Sequence, residues 1–318
     1  MAWDSEFGFD VTKFELKDDY EGRVEATLLS RKSKRTSFNA ILYIHGFIDY
    51  FFQLELADWA NRQGFNFYAI DLRKYGRSML LHQKPNYFRD YREYYEEIDA
   101  ALDVIRNRDK NTFLALMGHS TGGLISALYA HDKADQKVID ALILNSPFFE
   151  LNASAVVNTI ISPLMALIGK IFPNVISPVK LADGYAMSIH KDYYGEWDFN
   201  TKLKPIKGFP IYFGWLNGIY SAQRKLQKGL QIDCPVLVLH ASKSVKPGKY
   251  NDDMLMADAV LNVEHMKKYA PVLGEKVKVV EIENGRHDLI LSDEGPRKKT
   301  YNQMRYFLEK IIPKNKSV

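Results

Sequence analysis

The chain has 318 residues, 46% hydrophobic and 26% charged, with a formal net charge of +4. That is the composition of a folded globular protein with a substantial core. The charge is too small, and too little clustered, for a nucleic-acid surface: Arg31-Lys-Ser-Lys-Arg35 is the one basic run and reads as a solvated loop. A single cysteine, Cys234, excludes an internal disulfide and fits a reducing compartment. The first residues carry no basic and apolar leader, so a cytoplasmic location is expected. The longest apolar stretch, Ala155 to Phe172, is interrupted by Asn158, Ser162, Pro163 and Lys170, so no stable membrane insertion is expected.

In chain order, Val11 to Leu16 and Val24 to Ser30 alternate as two antiparallel strands around an Asp18 to Gly22 turn. Asn39 to Ile44 is a buried strand running into His45-Gly46-Phe47-Ile48-Asp49-Tyr50. Leu54 to Gln63 forms a helix stopped by Gly64, and Phe65 to Leu72 a further strand. Tyr87 to Arg108 has the periodicity of one long amphipathic helix. Thr112 to Met117 is a strand, Gly118-His119-Ser120-Thr121-Gly122 a turn, and the following residues a helix. Ala141 to Leu144 is a strand. From Glu150 to Leu230 the strand–helix rhythm stops, and the segment reads as a helical cap inserted over the sheet. The rhythm resumes with strands at Pro235 to Ala241 and Lys276 to Ile282, and helices at Asn262 to Ala270 and Asp293 to Ile312. Residues 313–318 read as a frayed end. The expected architecture is α/β: a mostly parallel eight-stranded sheet with helices on both faces, its core in residues 1–149 and 231–318 and its cap in 150–230.

The organising motif is Gly118-His-Ser-Thr-Gly122, a G-x-S-x-G between a strand and a helix. Such a turn exposes Ser120 Oγ at the top of the sheet and aims the positive end of a helix at it. Reactive groups in a parallel sheet gather at the carboxyl ends of the strands. The N–H groups of Phe47 and Thr121 are therefore candidates for an oxyanion hole. His287, between the last strand and the last helix, is the candidate base. His45 and His119 are expected to orient backbone and His240 to be buried. His82, His131, His190 and His265 are expected at the surface. The loop after Ala241 holds no carboxylate, so Ser242 to Ala257 reads as an insertion and Asp258 as the acid, with Asp253 and then Asp252 as alternatives. The order Ser120, Asp258, His287 is that of the α/β hydrolases.

With these motifs the chain resembles the α/β-hydrolase superfamily, and within it the monoacylglycerol lipase, lysophospholipase and serine-aminopeptidase-like group. The resemblance is carried by His45-Gly46-Phe47, Asp71-Leu-Arg-Lys-Tyr-Gly-Arg-Ser78, Gly118-His-Ser-Thr-Gly-Gly123 and Gly285-Arg-His287. Two departures stand out. Lys74-Tyr75 replaces a Gly-His pair in the second motif, and Ser244 lies near the usual position of the acid. The resemblance implies a triad serine hydrolase that cleaves carboxylic esters through an acyl-enzyme, an aminopeptidase or amidase being the alternative. A non-catalytic binding protein on this fold is the reading from another class. The expected partner is a small or lipid-like acyl ester, and oligomeric state is left open. Phe47, Tyr50, Phe51, Phe148, Phe149 and the stretch Ile160 to Phe172 are candidates for the acyl pocket. Tyr193, Tyr194, Trp197 and Trp215 are expected to line its entrance or anchor the cap. Asp183, Glu196 and Asp198 are the cap carboxylates available to an amine substrate. No zinc-type ligand spacing and no phosphate loop is present, so no cofactor or metal is implied.

Overall fold

The computed structural model describes residue 4 and residues 6–312. The frayed end expected at 313–318 and most of the leader positions therefore lie outside the described residues. The chain opens with an antiparallel hairpin, β1 (Asp10–Asp19) and β2 (Gly22–Arg31). β3 (Asn39–Ile44), α1 (Leu54–Arg62) and β4 (Asn66–Asp71) follow, then α2 (Tyr95–Asp103), β5 (Phe113–His119), α3 (Thr121–Asp132) and β6 (Ala141–Asn145). Three helices come next: α4 (Ser162–Ile171), α5 (Gly184–Ile189) and α6 (Phe213–Gln227). The chain then returns to β7 (Val236–Ala241), α7 (Val263–Tyr269), β8 (Val277–Ile282) and α8 (Glu294–Glu309).

The eight strands form one open sheet in the order β1-β2-β4-β3-β5-β6-β7-β8. β2 pairs antiparallel with β1 and β4, and the remaining pairs are parallel. The buried strands are apolar on both sides, as a sheet covered by helices requires. Along β3, Leu42 and Ile44 face a core completed by α2, α3 and α6, while Ile41 and Tyr43 face a second core completed by α1 and α8. Alternation along one strand thus builds both layers.

The expected helix from Tyr87 to Arg108 is shorter at its start. A 3₁₀ turn at Tyr91–Tyr94 leads into α2, and a π turn at Val104–Arg108 ends it. Asp90 accepts a hydrogen bond from the N–H of Arg92, and the Glu93 carboxylate accepts one from the N–H of Asp90. This reciprocal cap sets the start at Tyr91 and leaves residues 87–90 outside.

Between β6 and β7, α4 lies against α6. Gly169 permits the contact, since a Cβ there would strike the carbonyl of Phe213. The inner face of α6 carries Ile219, Ala222 and Leu226 into the same core that underlies the sheet. One helix therefore supports α4 and the sheet together. Among the described residues, no helix is long and apolar enough to cross a membrane.

Candidate active site

Ser120 occupies a left-handed backbone conformation, φ 52°, ψ −115°, between β5 and α3. Non-glycine residues rarely hold positive φ unless the surroundings enforce it. Here the enforcement is visible. The Ser120 N–H donates to the Asn145 carbonyl on β6, and the Ser120 carbonyl accepts from the Phe148 and Leu124 N–H groups. The glycines around it are required by space. A Cβ on Gly122 would collide with the carbonyls of Ile44 and His45 at the end of β3. A Cβ on Gly46 would come within 3.2 Å of Ser120 Cβ and 3.1 Å of the His119 ring. The β3 loop can approach the serine because Gly46 has no side chain.

His287 lies in the loop after β8. Its Nε2 is 3.0 Å from Ser120 Oγ and its Nδ1 is 2.9 Å from Asp258 Oδ2. A carboxylate only accepts hydrogen bonds, so Nδ1 carries the proton and Nε2 accepts from the serine hydroxyl. Asp258 is fully buried. Its other oxygen, Oδ1, accepts from the N–H groups of Val260 and Leu261 at 2.9 and 2.7 Å. The carboxylate is thus held from both sides and cannot rotate away from the imidazole.

The excursion before Asp258 explains why this carboxylate stands so late in the chain. The segment leaves the end of β7 and returns to it. The Val245 N–H donates to the Asp258 carbonyl and the Asp258 N–H to the Lys243 carbonyl, both at 2.9 Å. Ser244 and Asp258 form an isolated bridge. Asp258 is therefore held beside Lys243 to Val245, just past the end of β7, despite the residues between them. Asp252 and Asp253, the alternatives, sit exposed on a 3₁₀ turn in that excursion.

Phe47 and Thr121, whose N–H groups are the oxyanion candidates, line the same cavity as Ser120. Among the described residues neither donates a hydrogen bond within the protein. Thr121 begins α3, where the first N–H groups of a helix lack intrahelical acceptors. The histidines beside them have structural partners. His45 Nε2 accepts from the Leu72 N–H at 3.1 Å, and His119 Nδ1 bonds the Asn145 carbonyl at 3.1 Å. Burial holds both imidazoles below their ordinary pKa, hence neutral. His240 is buried as expected, and His82 is exposed. His190 departs from the expected surface position. It is 3% exposed, with Nε2 bonding the Phe199 carbonyl at 3.1 Å. It belongs to a tight turn closing onto α5, so its ring is enclosed by its own backbone.

Ser120 and His287 open onto a cavity of about 470 Å³. Its walls are mostly apolar: Phe47, Phe148, Met165, Trp215, Leu216 and Ile219 among them. Phe148 thus meets the expectation of a wall residue. Tyr50, Phe51 and Phe149 do not line the cavity. Phe51 packs with Phe9, Tyr43 and Phe67 beneath the sheet, because it points away from the loop's open side. Phe149 is 1% exposed within the core shared by α3 and α6. Tyr50 is used instead as a tie, its hydroxyl accepting from the Asn200 N–H at 2.8 Å. Of the stretch Ile160 to Phe172, Ser162 and Met165 reach the cavity, whereas Ile160, Leu164, Leu167, Ile171 and Phe172 are exposed on the outer face. Trp215 lines the cavity and lies against Phe47 with ring centroids 4.2 Å apart. Trp197 anchors, with Nε1 donating to the Leu291 carbonyl at 2.8 Å. Tyr194 stacks on Tyr250, and Tyr193 is exposed.

Three features escaped sequence reading. Asp49 and Lys204 form a buried ion pair, 2.7 Å, in the cavity wall. Asp288, next to the histidine, is 1% exposed and accepts from Asn145 Nδ2 at 2.7 Å and Gln53 Nε2 at 3.1 Å. Tyr185 stands edge-on to His287, centroids 5.5 Å apart, and its hydroxyl accepts from the Asp288 N–H. Adjacency to His45-Gly46 and to His287 was the available signal for Asp49 and Asp288. Nothing local marks Lys204 or Tyr185. The departure at Lys74 also has its account. This residue takes φ 65°, where the related motif has glycine, and its ammonium is buried against Asp19 and Glu21 at 2.6 and 2.7 Å.

Comparison with known proteins places this geometry in context. A solved soluble variant of monoglyceride lipase from Saccharomyces cerevisiae, in complex with a substrate analog, is 18% identical, with 96% of each chain covered and a TM-score of 0.67. Paleococcus ferrophilus monoacylglycerol lipase is 17% identical over 94% of this chain and 98% of that one, TM-score 0.61. A thermostable carboxyl esterase from Bacillus coagulans, in complex with glycerol, is 15% identical over 95% and 99%, TM-score 0.68. At these identities the likeness is one of fold. No curated protein sequence matches the chain. The family profile Hydrolase_4, described as serine aminopeptidase, S33, matches residues 36–294, and the chain belongs to that family of α/β hydrolases.

Proposed function

We propose that this protein is a serine hydrolase that cleaves carboxylic esters of lipid-like acyl groups through an acyl-enzyme. The observation that carries the reading is the line Asp258–His287–Ser120, with distances of 2.9 and 3.0 Å, opening on an apolar cavity. In this reading His287 takes the Ser120 proton as Oγ attacks the acyl carbonyl. The N–H groups of Phe47 and Thr121 receive the developing oxyanion. Asp258 holds the imidazole tautomer and stabilises the imidazolium. His287 then protonates the departing alcohol, and water, activated by the same histidine, releases the acid.

The cavity's size and apolar walls suit an acyl chain. The exposed apolar face of α4 fits a protein that meets lipid-like substrates. We read residues 150–230 as the cap that shapes this cavity over a core of 1–149 and 231–318. An aminopeptidase would need a carboxylate free to hold a substrate amine. Among the described lining residues the one carboxylate is Asp49, already paired with Lys204. Asp183, Glu196 and Asp198 do not line the cavity, and the last two pair with Arg297 and Lys191. The ester reading is therefore preferred.

The test is turnover of p-nitrophenyl esters from acetate to palmitate by wild type and Ser120→Ala. The expected result is hydrolysis by wild type and a loss of roughly 10⁴-fold or more in the variant. Equal activity in the two proteins sinks the assignment. Labelling of Ser120 by a fluorophosphonate without ester turnover keeps the chemistry and refutes the substrate class.

A further inference from the structure

The loop that carries the Phe47 N–H is held from the opposite side of the cavity, residue by residue. The Phe47 ring lies on Trp215. Ile48 takes φ 50°, a left-handed conformation that β-branched residues avoid and that persists only where neighbours impose it. Its Cδ1 sits over Gly208, close enough that a Cβ there would approach to 3.0 Å. Asp49 receives the Lys204 ammonium at 2.7 Å, and the Tyr50 hydroxyl receives the Asn200 N–H at 2.8 Å. Four successive loop residues are thus gripped by residues 200–215, which run from the segment after α5 into the first turn of α6.

Asp49 and Lys204 differ from the other contacts because they are charged and buried. Their side chains are 2% and 9% exposed, and both line the cavity that Ser120 and Thr121 line. Burial alone would raise the Asp49 pKa, but the Lys204 ammonium paired with it holds it below the ordinary carboxylate value. The carboxylate is ionised. Left alone, a buried negative charge in this wall would oppose the negative charge that grows on the acyl oxygen during attack.

We propose that the Asp49–Lys204 pair is a positioning device for the oxyanion site: Lys204 fixes the strained loop bearing the Phe47 N–H and cancels the Asp49 charge beside the developing oxyanion. The proposal rests on the reading of Phe47 and Thr121 as oxyanion donors. Lys204 touches no reacting atom; it acts through Asp49 and the loop. The consequence is specific. Removing Lys204 harms the step in which charge develops and leaves ground-state binding of the acyl chain intact.

The experiment compares Lys204→Met, Asp49→Asn, the double variant and Ser120→Ala, with kcat and KM on p-nitrophenyl butyrate and thermal unfolding of each. Lys204→Met is expected to lose about 30- to 100-fold in kcat with KM within about twofold, on the scale of one impaired oxyanion donor. Asp49→Asn is expected to lose about fivefold in kcat by the same reasoning, since the loop keeps its polar contact. The double variant is expected to recover about tenfold over Lys204→Met, because the uncompensated charge is gone. Wild-type kcat in Lys204→Met, or a double variant no better than the single one, overturns the proposal while Ser120→Ala remains inactive. Full activity in Ser120→Ala overturns the site and the pair's role with it. Where Lys204→Met shows no cooperative unfolding transition, Asp49→Asn decides: a fall in kcat at constant KM supports the pair's role, and wild-type kcat refutes it.

Discussion

The two walls of the cavity are built by different means. On the sheet side, Ser120 and Asp258 are set by backbone: strand ends, a helix start, and carbonyl and N–H partners at 2.7 to 3.1 Å. On the opposite side, residues 185–215 are attached through side chains. Tyr185 accepts from the Asp288 N–H, Trp197 donates to the Leu291 carbonyl, and Lys204 reaches Asp49. α4 packs on α6 and, with the turn before it, leaves Ile160, Leu164 and Ile171 outward at 64%, 56% and 62% exposure. Backbone-set groups tolerate little error, whereas side-chain ties can be exchanged one at a time. On the proposed function, the sheet side fixes which bond breaks, and the other side fixes what is admitted.

The comparison is broken most severely at the acid. Asp258→Asn is expected to lower kcat by about 10³- to 10⁴-fold, because an amide at Oδ2 favours the wrong imidazole tautomer. Asp253→Asn and Asp252→Asn should stay within about twofold of wild type, since both carboxylates are exposed and His287 Nδ1 bonds Asp258 instead. Steady-state turnover of a short ester checks all three. The reverse ranking would mean that the excursion after β7 rearranges in solution.

The same division decides what could be read without a structure. The strands, the turn at Ser120 and the loop at His287 follow from local pattern: apolar runs, glycines at fixed offsets, polar breaks. Asp258 was legible as a candidate because it precedes a clear helix, even though Ser244 and Asp258 close a detour that no local pattern announces. The start of α2 was misplaced because apolar periodicity continues through Tyr87 and Phe88, while the stop is a polar cap between Asp90 and Glu93. The pocket was only partly legible. Whether Tyr50, Phe51, Phe148 or Phe149 faces the cavity depends on backbone angles in loops, and composition is blind to those. Lys204 and Asp49 are 155 positions apart, and only the folded chain joins them.

A medium effect is expected from the admitting side. Leu216, on α6, lines the cavity at 8% exposure. Leu216→Trp should shorten the space available to an acyl chain while leaving Ser120 untouched. At about 0.8 kcal/mol per buried methylene, excluding two or three methylenes removes roughly 2 kcal/mol of binding, or about 30-fold in kcat/KM. The loss should appear for decanoate and longer esters and be absent for acetate. Equal losses at all chain lengths would show that α6 supports the chemistry itself.

Stability should depend on pH through the sheet side. Burial lowers the pKa of His45, His119 and His240 in the folded chain. The unfolded chain takes up protons near pH 6.5 that these buried rings refuse, so the folded state binds fewer protons and stability falls as pH drops below about 6.5. Each ring contributes a slope of up to about 1.4 kcal/mol per pH unit until its own lowered pKa is reached. Unfolding temperatures measured from pH 7.5 to 5.5 should decline, and His119→Asn should flatten the decline. A profile unchanged by that substitution would mean His119 titrates alike in the folded and unfolded chain.

The smallest effect is expected where the two sides meet at the surface. Arg297, on α8, bonds Glu196 at 2.9 Å and Glu55 at 3.0 Å, and its guanidinium lies over the Trp197 ring. Glu196 is 56% exposed, so its charge is screened by water and its side chain loses entropy in pairing. Glu196→Gln should therefore change stability by no more than about 0.5 kcal/mol, a shift of roughly 1 °C in unfolding temperature, and less at high salt. Trp197→Ala should cost more, because it removes both the indole hydrogen bond to Leu291 and the surface on which Arg297 rests. If Glu196→Gln proved the more damaging of the two, attachment on this side would be electrostatic, and ionic strength would control access to the cavity. The partial burial of Trp197 and the exposure of Glu196 argue for the opposite order.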